Sequence, residues 1–134
     1  HKFELIKTKQ NITLIDDTDN HQYPALIYGL DYLKKFLGKQ GRKILVLGDI
    51  STLNPQKKQK ELTEKLLDSG VSLIYIPKNC PFKFPFLSSY LYKNLSSLKK
   101  LILTELKKDD IILIKGLSHD LVTDLIAELK KTKN

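Results

Sequence analysis

The 134-residue chain has no methionine, no tryptophan, a single cysteine and a single arginine. With Cys80 alone, an internal disulfide is excluded. Its neighbours Asn79 and Pro81 put no histidine at a metal-ligand spacing. Cys80 is therefore expected to be a bystander thiol of a reducing, cytoplasmic compartment rather than a nucleophile. His1, His21 and His119 form no HExxH or His-x-His pattern, so no zinc motif exists. Apolar runs such as Ile111 to Ile114 last only a few residues, so neither a transmembrane helix nor a membrane partner is expected. The opening residues, His-Lys-Phe-Glu-Leu, lack the apolar core of a signal peptide. Methionine is missing from position 1 as well, as expected of a cloning remnant or a cut point inside a longer chain.

Three phosphate and acyl-transfer signatures are also missing. There is no GxxxxGK[ST] loop, no GxGxxG turn after a strand, and no GxSxG elbow. A self-sufficient nucleotide-driven enzyme is hard to build from what remains.

Cations outnumber anions, 23 to 15, for a formal net charge of +8. Clustered cations invite a nucleic-acid reading, since they displace phosphate counterions. Arg42 is the only arginine, however, and base readout and bidentate phosphate grip favour arginine. Lysine pairs such as Lys34-Lys35, Lys57-Lys58 and Lys130-Lys131 are scattered as a solubilising surface would be. Composition therefore argues against a nucleic-acid partner.

Four short β-branched runs, Ile12 to Ile15, Ile44 to Leu47, Val71 to Ile76 and Ile111 to Ile114, read as strands buried on both faces. Phe3 to Ile6 adds an expected edge strand. Leu26, Leu30, Leu33 and Leu37 form one helical stripe starting near Pro24. A second helix spans Pro55 to Ser69 and closes at Gly70. A third, opened by Ser96 or Ser97, carries Leu98, Leu101, Ile102 and Leu106. The last carries Leu121, Val122, Leu125, Ile126 and Leu129, with Lys130 and Lys131 at its negative end. Alternating strands and helices predict an α/β domain over residues 1–134, Rossmann-like and three-layered, with a mostly parallel sheet of five or six strands. The segment from Pro77 to Tyr92 breaks the rhythm with Pro77, Pro81, Pro85 and Phe82, Phe84, Phe86. It reads as a loop with one short strand near Ser88 to Tyr92, its aromatics capping the sheet edge or, if exposed, docking a partner.

Ligands of open parallel sheets bind beyond the carboxyl ends of the strands. Three such ends are polar: Asp16-Asp17-Thr18-Asp19-Asn20-His21, Gly48-Asp49-Ile50-Ser51-Thr52 and Lys115-Gly116-Leu117-Ser118-His119-Asp120. All three are expected on one rim. They could meet a ribose, a Mg2+ ion or a charged substrate end, or could simply cap the helices that follow. Asp120 reads as a cap.

Three of these stretches, ITLIDDTDN from Ile12, RKILVLGD from Arg42 and DIILIKG from Asp110, follow each other as motifs do in the Mur ligase family. There the corresponding places read approximately VTVIDDSYNANP, RRIAVLGDM with ELG after it, and DVVLVKGSRG. From Phe3 to Lys130 the chain resembles the C-terminal domain of these ATP-dependent peptidoglycan-precursor ligases, nearest to those that add D-alanyl-D-alanine to the UDP-N-acetylmuramoyl tripeptide. The resemblance implies a domain that closes over a central ATPase domain. It would contact the nucleotide through Asp17, Asn20 and Asp49, and the incoming amino acid or dipeptide through Lys115, Gly116 and His119. ATP and Mg2+ would serve the parent enzyme, with neither bound by this domain alone. The central ATPase domain and the UDP-linked muramoyl peptide would be its partners. The chain departs from the pattern at Asp19, Tyr23, Thr52-Leu53-Asn54 and Leu117-Ser118-His119; the last replaces Ser-Arg-Gly and removes a bidentate anion grip. A non-catalytic relative that keeps the fold as an interaction module is the alternative. On the leading reading, the Lys115 ammonium is expected to project from the rim into the interdomain cleft.

Overall fold

The structure, a computed structural model, describes residues 3–8, 10–18, 20–52 and 54–131. His1, Asp19 and Leu53 lie outside the described residues. Six strands and four helices follow in the order β1 (Glu4–Lys7), β2 (Thr13–Asp17), α1 (Tyr23–Leu33), β3 (Lys43–Leu47), α2 (Pro55–Ser69), β4 (Val71–Pro77), β5 (Ser88–Tyr92), α3 (Leu95–Glu105), β6 (Ile111–Lys115) and α4 (His119–Lys131). They build one six-stranded sheet, ordered β1-β2-β6-β3-β4-β5. Only β1 runs antiparallel; the other five are parallel, as buried β-branched strands joined by helical crossovers require.

Alternation along each strand sorts the side chains into two cores, which makes the domain three-layered. Ile15, Leu45, Leu47, Ile74 and Leu113 face α1 and α2, where Leu26, Leu30, Leu33, Leu62 and Leu66 close over them. Ile12, Leu14, Val46, Tyr75, Ile112 and Ile114 face α3 and α4, under Leu98, Ile102, Leu121, Val122 and Leu125. Each fully buried Leu or Ile contributes about 1.5–3 kcal/mol relative to exposure, so both faces of the sheet are firmly held. The α/β, mostly parallel fold expected from the sequence is the fold observed.

Local details differ from the sequence reading. The α1 stripe ends at Leu33, and a short 3-10 turn over Lys34–Phe36 leaves Leu37 exposed. Helix α3 opens at Asn94, not at Ser96 or Ser97. The Asn94 side chain accepts from the Ser97 backbone N–H and the Ser97 hydroxyl accepts from that of Asn94, a reciprocal pair that satisfies two unpaired helix donors. Helix α4 starts one residue before Asp120, which lies inside the first turn and donates its backbone N–H to Ser118 Oγ. Phe82 and Phe84 are buried, and Phe82 stacks near Tyr23 at a 6.0 Å ring separation, so these two aromatics do cap the core. Arg42 is a strap at the amino end of the sheet. Its guanidinium donates two hydrogen bonds to the buried Asp110 carboxylate, at 2.9 and 2.7 Å, and a third to the Glu105 carbonyl. The only arginine is therefore spent on joining the starts of β3 and β6.

Candidate functional site

Strand β2 sends its chain to α1 on one face of the sheet, whereas its neighbour β6 sends its chain to α4 on the other. Between strands whose connections part in this way the carboxyl ends open into a crevice. An open groove of about 770 Å³ lies there, lined by Glu4, Asp16, Asp17, Thr18, Asn20, His21, Gln22, Ser51 and His119. A second, more apolar hollow of about 650 Å³ adjoins it through Gln22 and Ser51 and reaches Tyr23, Pro24 and Lys58.

The rim is laced by backbone hydrogen bonds among the three loops. The Leu117 N–H donates to Thr18 O at 2.8 Å, and the Asp49 N–H to Gly116 O at 3.0 Å. The Gly48 N–H donates to Lys115 O at 2.8 Å. These short reaches explain both turn glycines. A Cβ on Gly48 would sit 2.0 Å from Gly116 O, and Gly116 itself adopts φ +71°, which side chains resist. Farther out, Ser51 N–H donates to His21 O and Tyr23 N–H donates to Ser51 O, a small parallel bridge between the loops after β2 and β3.

Period-two alternation sends the neighbouring carboxylates Asp16 and Asp17 to opposite faces. Asp17 points with Ile15 toward α1 and pairs with Lys115, its neighbour across β2 and β6. Lys115 is fully buried, and its stem lies under Gly29 of α1, where a side chain would crowd it. Burial is the dominant influence on both groups: it pushes the Asp17 carboxyl up and the Lys115 ammonium down, against the mutual attraction of the pair. This corrects the expectation that the Lys115 ammonium projects into a cleft. An unpaired ammonium beneath α1 would be far costlier than one folded back onto Asp17, so the strand's inward face decides its direction.

Asp16 faces the α4 side and organises the groove. Its Oδ1 accepts from the Thr18 N–H at 3.0 Å and the Thr18 hydroxyl at 2.8 Å, and its Oδ2 lies 2.8 Å from His119 Nδ1. His21 Nδ1 similarly lies 2.9 Å from Asp49 O. Both imidazoles are thereby fixed by one ring nitrogen at the mouth of the groove. Among the described residues no three His, Cys, Asp or Glu side chains converge as the ligands of an all-protein metal site would.

Of the six residues singled out from the sequence, Asp17, Asn20 and His119 line the groove. Asp49, Gly116 and Lys115 form its support instead: Asp49 through its backbone, Gly116 through its turn, and Lys115 through Asp17. Asp16, His21, Ser51 and Glu4 line the groove without having been singled out. The first three lay in the polar strand ends, but nothing there ranks one carboxylate above its neighbour. Glu4 arrives only because β1 places it opposite Asp16. Cys80 is half-buried and burial pushes its thiol up, away from nucleophilic use.

Fold and groove together define a Rossmann-like α/β domain with its ligand crevice at a switch in strand order. Solved structures similar to this fold include Mur ligase chains. A domain from a UDP-N-acetylmuramate:L-alanyl-γ-D-glutamyl-diaminopimelate ligase of Haemophilus ducreyi superposes with a TM-score of 0.70 at 22% identity, covering 96% of this chain and 99% of that one. The MurF ligase of Thermotoga maritima, solved in complex with ADP, gives 0.69 at 23% identity, covering 96% of this chain and 31% of that one. A murein peptide ligase of Psychrobacter arcticus gives 0.68 at 21% identity, covering 98% and 30%. The chain thus spans about a third of the latter two solved chains, and the likeness is one of fold. No protein-family model and no curated protein matches the sequence.

Proposed function

We propose that residues 1–134 are one domain, equivalent to the C-terminal domain of a Mur-type, ATP-dependent amide-forming ligase of peptidoglycan precursors. It would orient the incoming amino acid or D-alanyl-D-alanine dipeptide and close over nucleotide held by a central ATPase domain in the cytoplasm. The observation that carries this reading is the likeness over nearly the whole chain to ligase structures, one with ADP, joined to a groove at the strand carboxyl ends. In such a reaction ATP activates a carboxylate that an amine then attacks, and that chemistry would reside with the central domain and its Mg2+. This domain's own contribution is positioning and exclusion of water. On this reading Asp17 and Asn20 border the nucleotide and His119 the amine substrate. Asp49 and Gly116 act on the nucleotide and substrate sides through the loops they shape, and Lys115 acts at one remove by holding Asp17 in place.

One observation favours the second reading, a non-catalytic interaction module. Among the described residues no Lys or Arg lines the 770 Å³ groove, and His21 and His119 are the groups there that could carry positive charge toward an anionic substrate end. The discriminating experiment is substrate-dependent phosphate release by the parent chain, with UDP-muramoyl tripeptide and candidate amines. Ligase function predicts release that depends on both substrates and a raised KM for ATP in Asn20→Ala. Release independent of the amine, or none at all from a folded, P-loop-bearing parent, would favour the module.

A further inference from the structure

The two edges of the sheet are guarded unequally. Strand β1 is only four residues long and carries Glu4 and Lys7 at its ends, features that discourage further pairing. Strand β5 pairs only with β4 and turns its other side outward. Its residues, Ser-Ser-Tyr-Leu-Tyr, include no charge and no proline, and its register with β4 runs unbroken. Half of its backbone donors and acceptors are therefore available to another strand. Beside it, against α3, lies a groove of about 440 Å³ lined in part by Leu91, Tyr92, Lys93, Ser97, Lys100 and Leu101. Leu91 is 57% exposed on this edge.

The charged side chains that line this groove, Lys93 and Lys100, are both cations. The 36 residues from 69 to 104 contain five lysines, Lys78, Lys83, Lys93, Lys99 and Lys100, and no Asp or Glu. Most of the net +8 is concentrated here. A second copy of the chain would bring these lysines against each other, which opposes self-pairing through β5. A nucleic acid would need arginines or exposed rings to stack its bases. The stretch has no arginine, Phe82 and Phe84 are buried, Tyr90 is stacked on Tyr75 at 5.3 Å, and Phe86, 38% exposed, is a lone open ring where successive bases need several.

We propose that the β5 edge and its groove bind an extended acidic segment of a separate protein. The segment adds to the sheet as a further strand, with apolar side chains over Leu91 on the face shared with Ile76 and the intervening carboxylates turned toward Lys100 on the α3 face, while Lys93 adds its charge at the strand end. Backbone pairing supplies adhesion, and the lysines of the groove select the partner and speed its approach. Because β5 lies three strands from β6, occupation of this edge leaves the carboxyl-end groove open.

The test uses a capped, fluorescein-labelled octapeptide alternating glutamate and valine, titrated into the chain by fluorescence anisotropy and followed by amide hydrogen exchange. Binding should weaken as salt rises, and the amides of Ser88 to Tyr92 should gain protection while those of β1 do not. Lys93→Glu with Lys100→Glu should weaken binding by about tenfold. Leu91→Pro, which removes a strand donor and an apolar contact, should abolish the new protection. The matched lysine–valine peptide should not bind. Absence of binding, unchanged affinity in the double variant, or protection elsewhere than β5 overturns the proposal. Oligothymidylate binding in place of the acidic peptide overturns it in favour of a nucleic-acid surface. Concentration-dependent dimerisation that Leu91→Pro removes overturns it in favour of a second copy.

Discussion

Lys115 shows how a single residue can be legible in type and misread in direction. It follows four apolar residues and precedes a glycine, so it looks like a cation offered at a strand end. The pleat turns it inward beneath α1 instead, and Asp17 is its compensation. Lys115→Ala is therefore expected to unfold the chain more readily, by about 3–5 kcal/mol, because it strands a buried carboxylate. Asp17→Leu combined with Lys115→Met, which removes both charges, should be neutral or stabilising by about 1–4 kcal/mol. Urea unfolding of the three proteins separates these outcomes. The pH dependence has a defined sign. A raised Asp17 gives stability that is present below the ordinary carboxylate range and lost as pH rises through its raised value. A lowered Lys115 gives stability that is present at alkaline pH and lost as pH falls through its lowered value. The advantage of the double variant should thus be largest near neutrality and shrink toward acid and toward alkali.

At the scale of elements, the loops that end β2, β3 and β6 hold each other through backbone groups, so their sequence tolerance is set by space. Gly48→Ala would drive a methyl group into Gly116 O and must displace one turn. The expected result is a loss of about 1–3 kcal/mol, read as a lowered Tm. Asn94→Ala tests a milder device. Losing the cap of α3 should cost about 1 kcal/mol, since the Ser97 N–H loses its acceptor. Strand and helix existence was readable from periodicity, whereas the Asn94 cap was not. Ser96 and Ser97 are equally good capping residues by type, and only the extended backbone at Asn94 distinguishes it.

For the whole molecule, the fold supplies a groove, and the sequence carries no GxxxxGK[ST] phosphate loop. The isolated chain is accordingly expected to release phosphate from ATP no faster than a buffer blank, measured at enzyme concentrations where a turnover of about 1 per second would be obvious. Measurable hydrolysis would contradict the division of labour proposed between this domain and a central one. The positively charged β5 flank and the carboxyl-end groove lie on different strands, so one chain can present two independent surfaces.

The sequence by itself determined the layers. Apolar runs too continuous for a half-exposed strand, separated by leucine stripes at helical spacing, leave little but a parallel sheet covered on both faces. It also determined which strand ends are polar, and hence on which rim ligands could gather. Tertiary structure decided the rest. Whether Asp16 or Asp17 meets the groove's histidine depends on which side of the pleat faces α4. Whether Arg42 is a ligand or a strap depends on Asp110 lying beside it across two strand starts. The placement of Glu4 opposite Asp16 depends on an antiparallel pairing that no local pattern announces. Periodicity records the average environment of a face; a charge's partner is set by residues distant in the chain, and only packing brings them together.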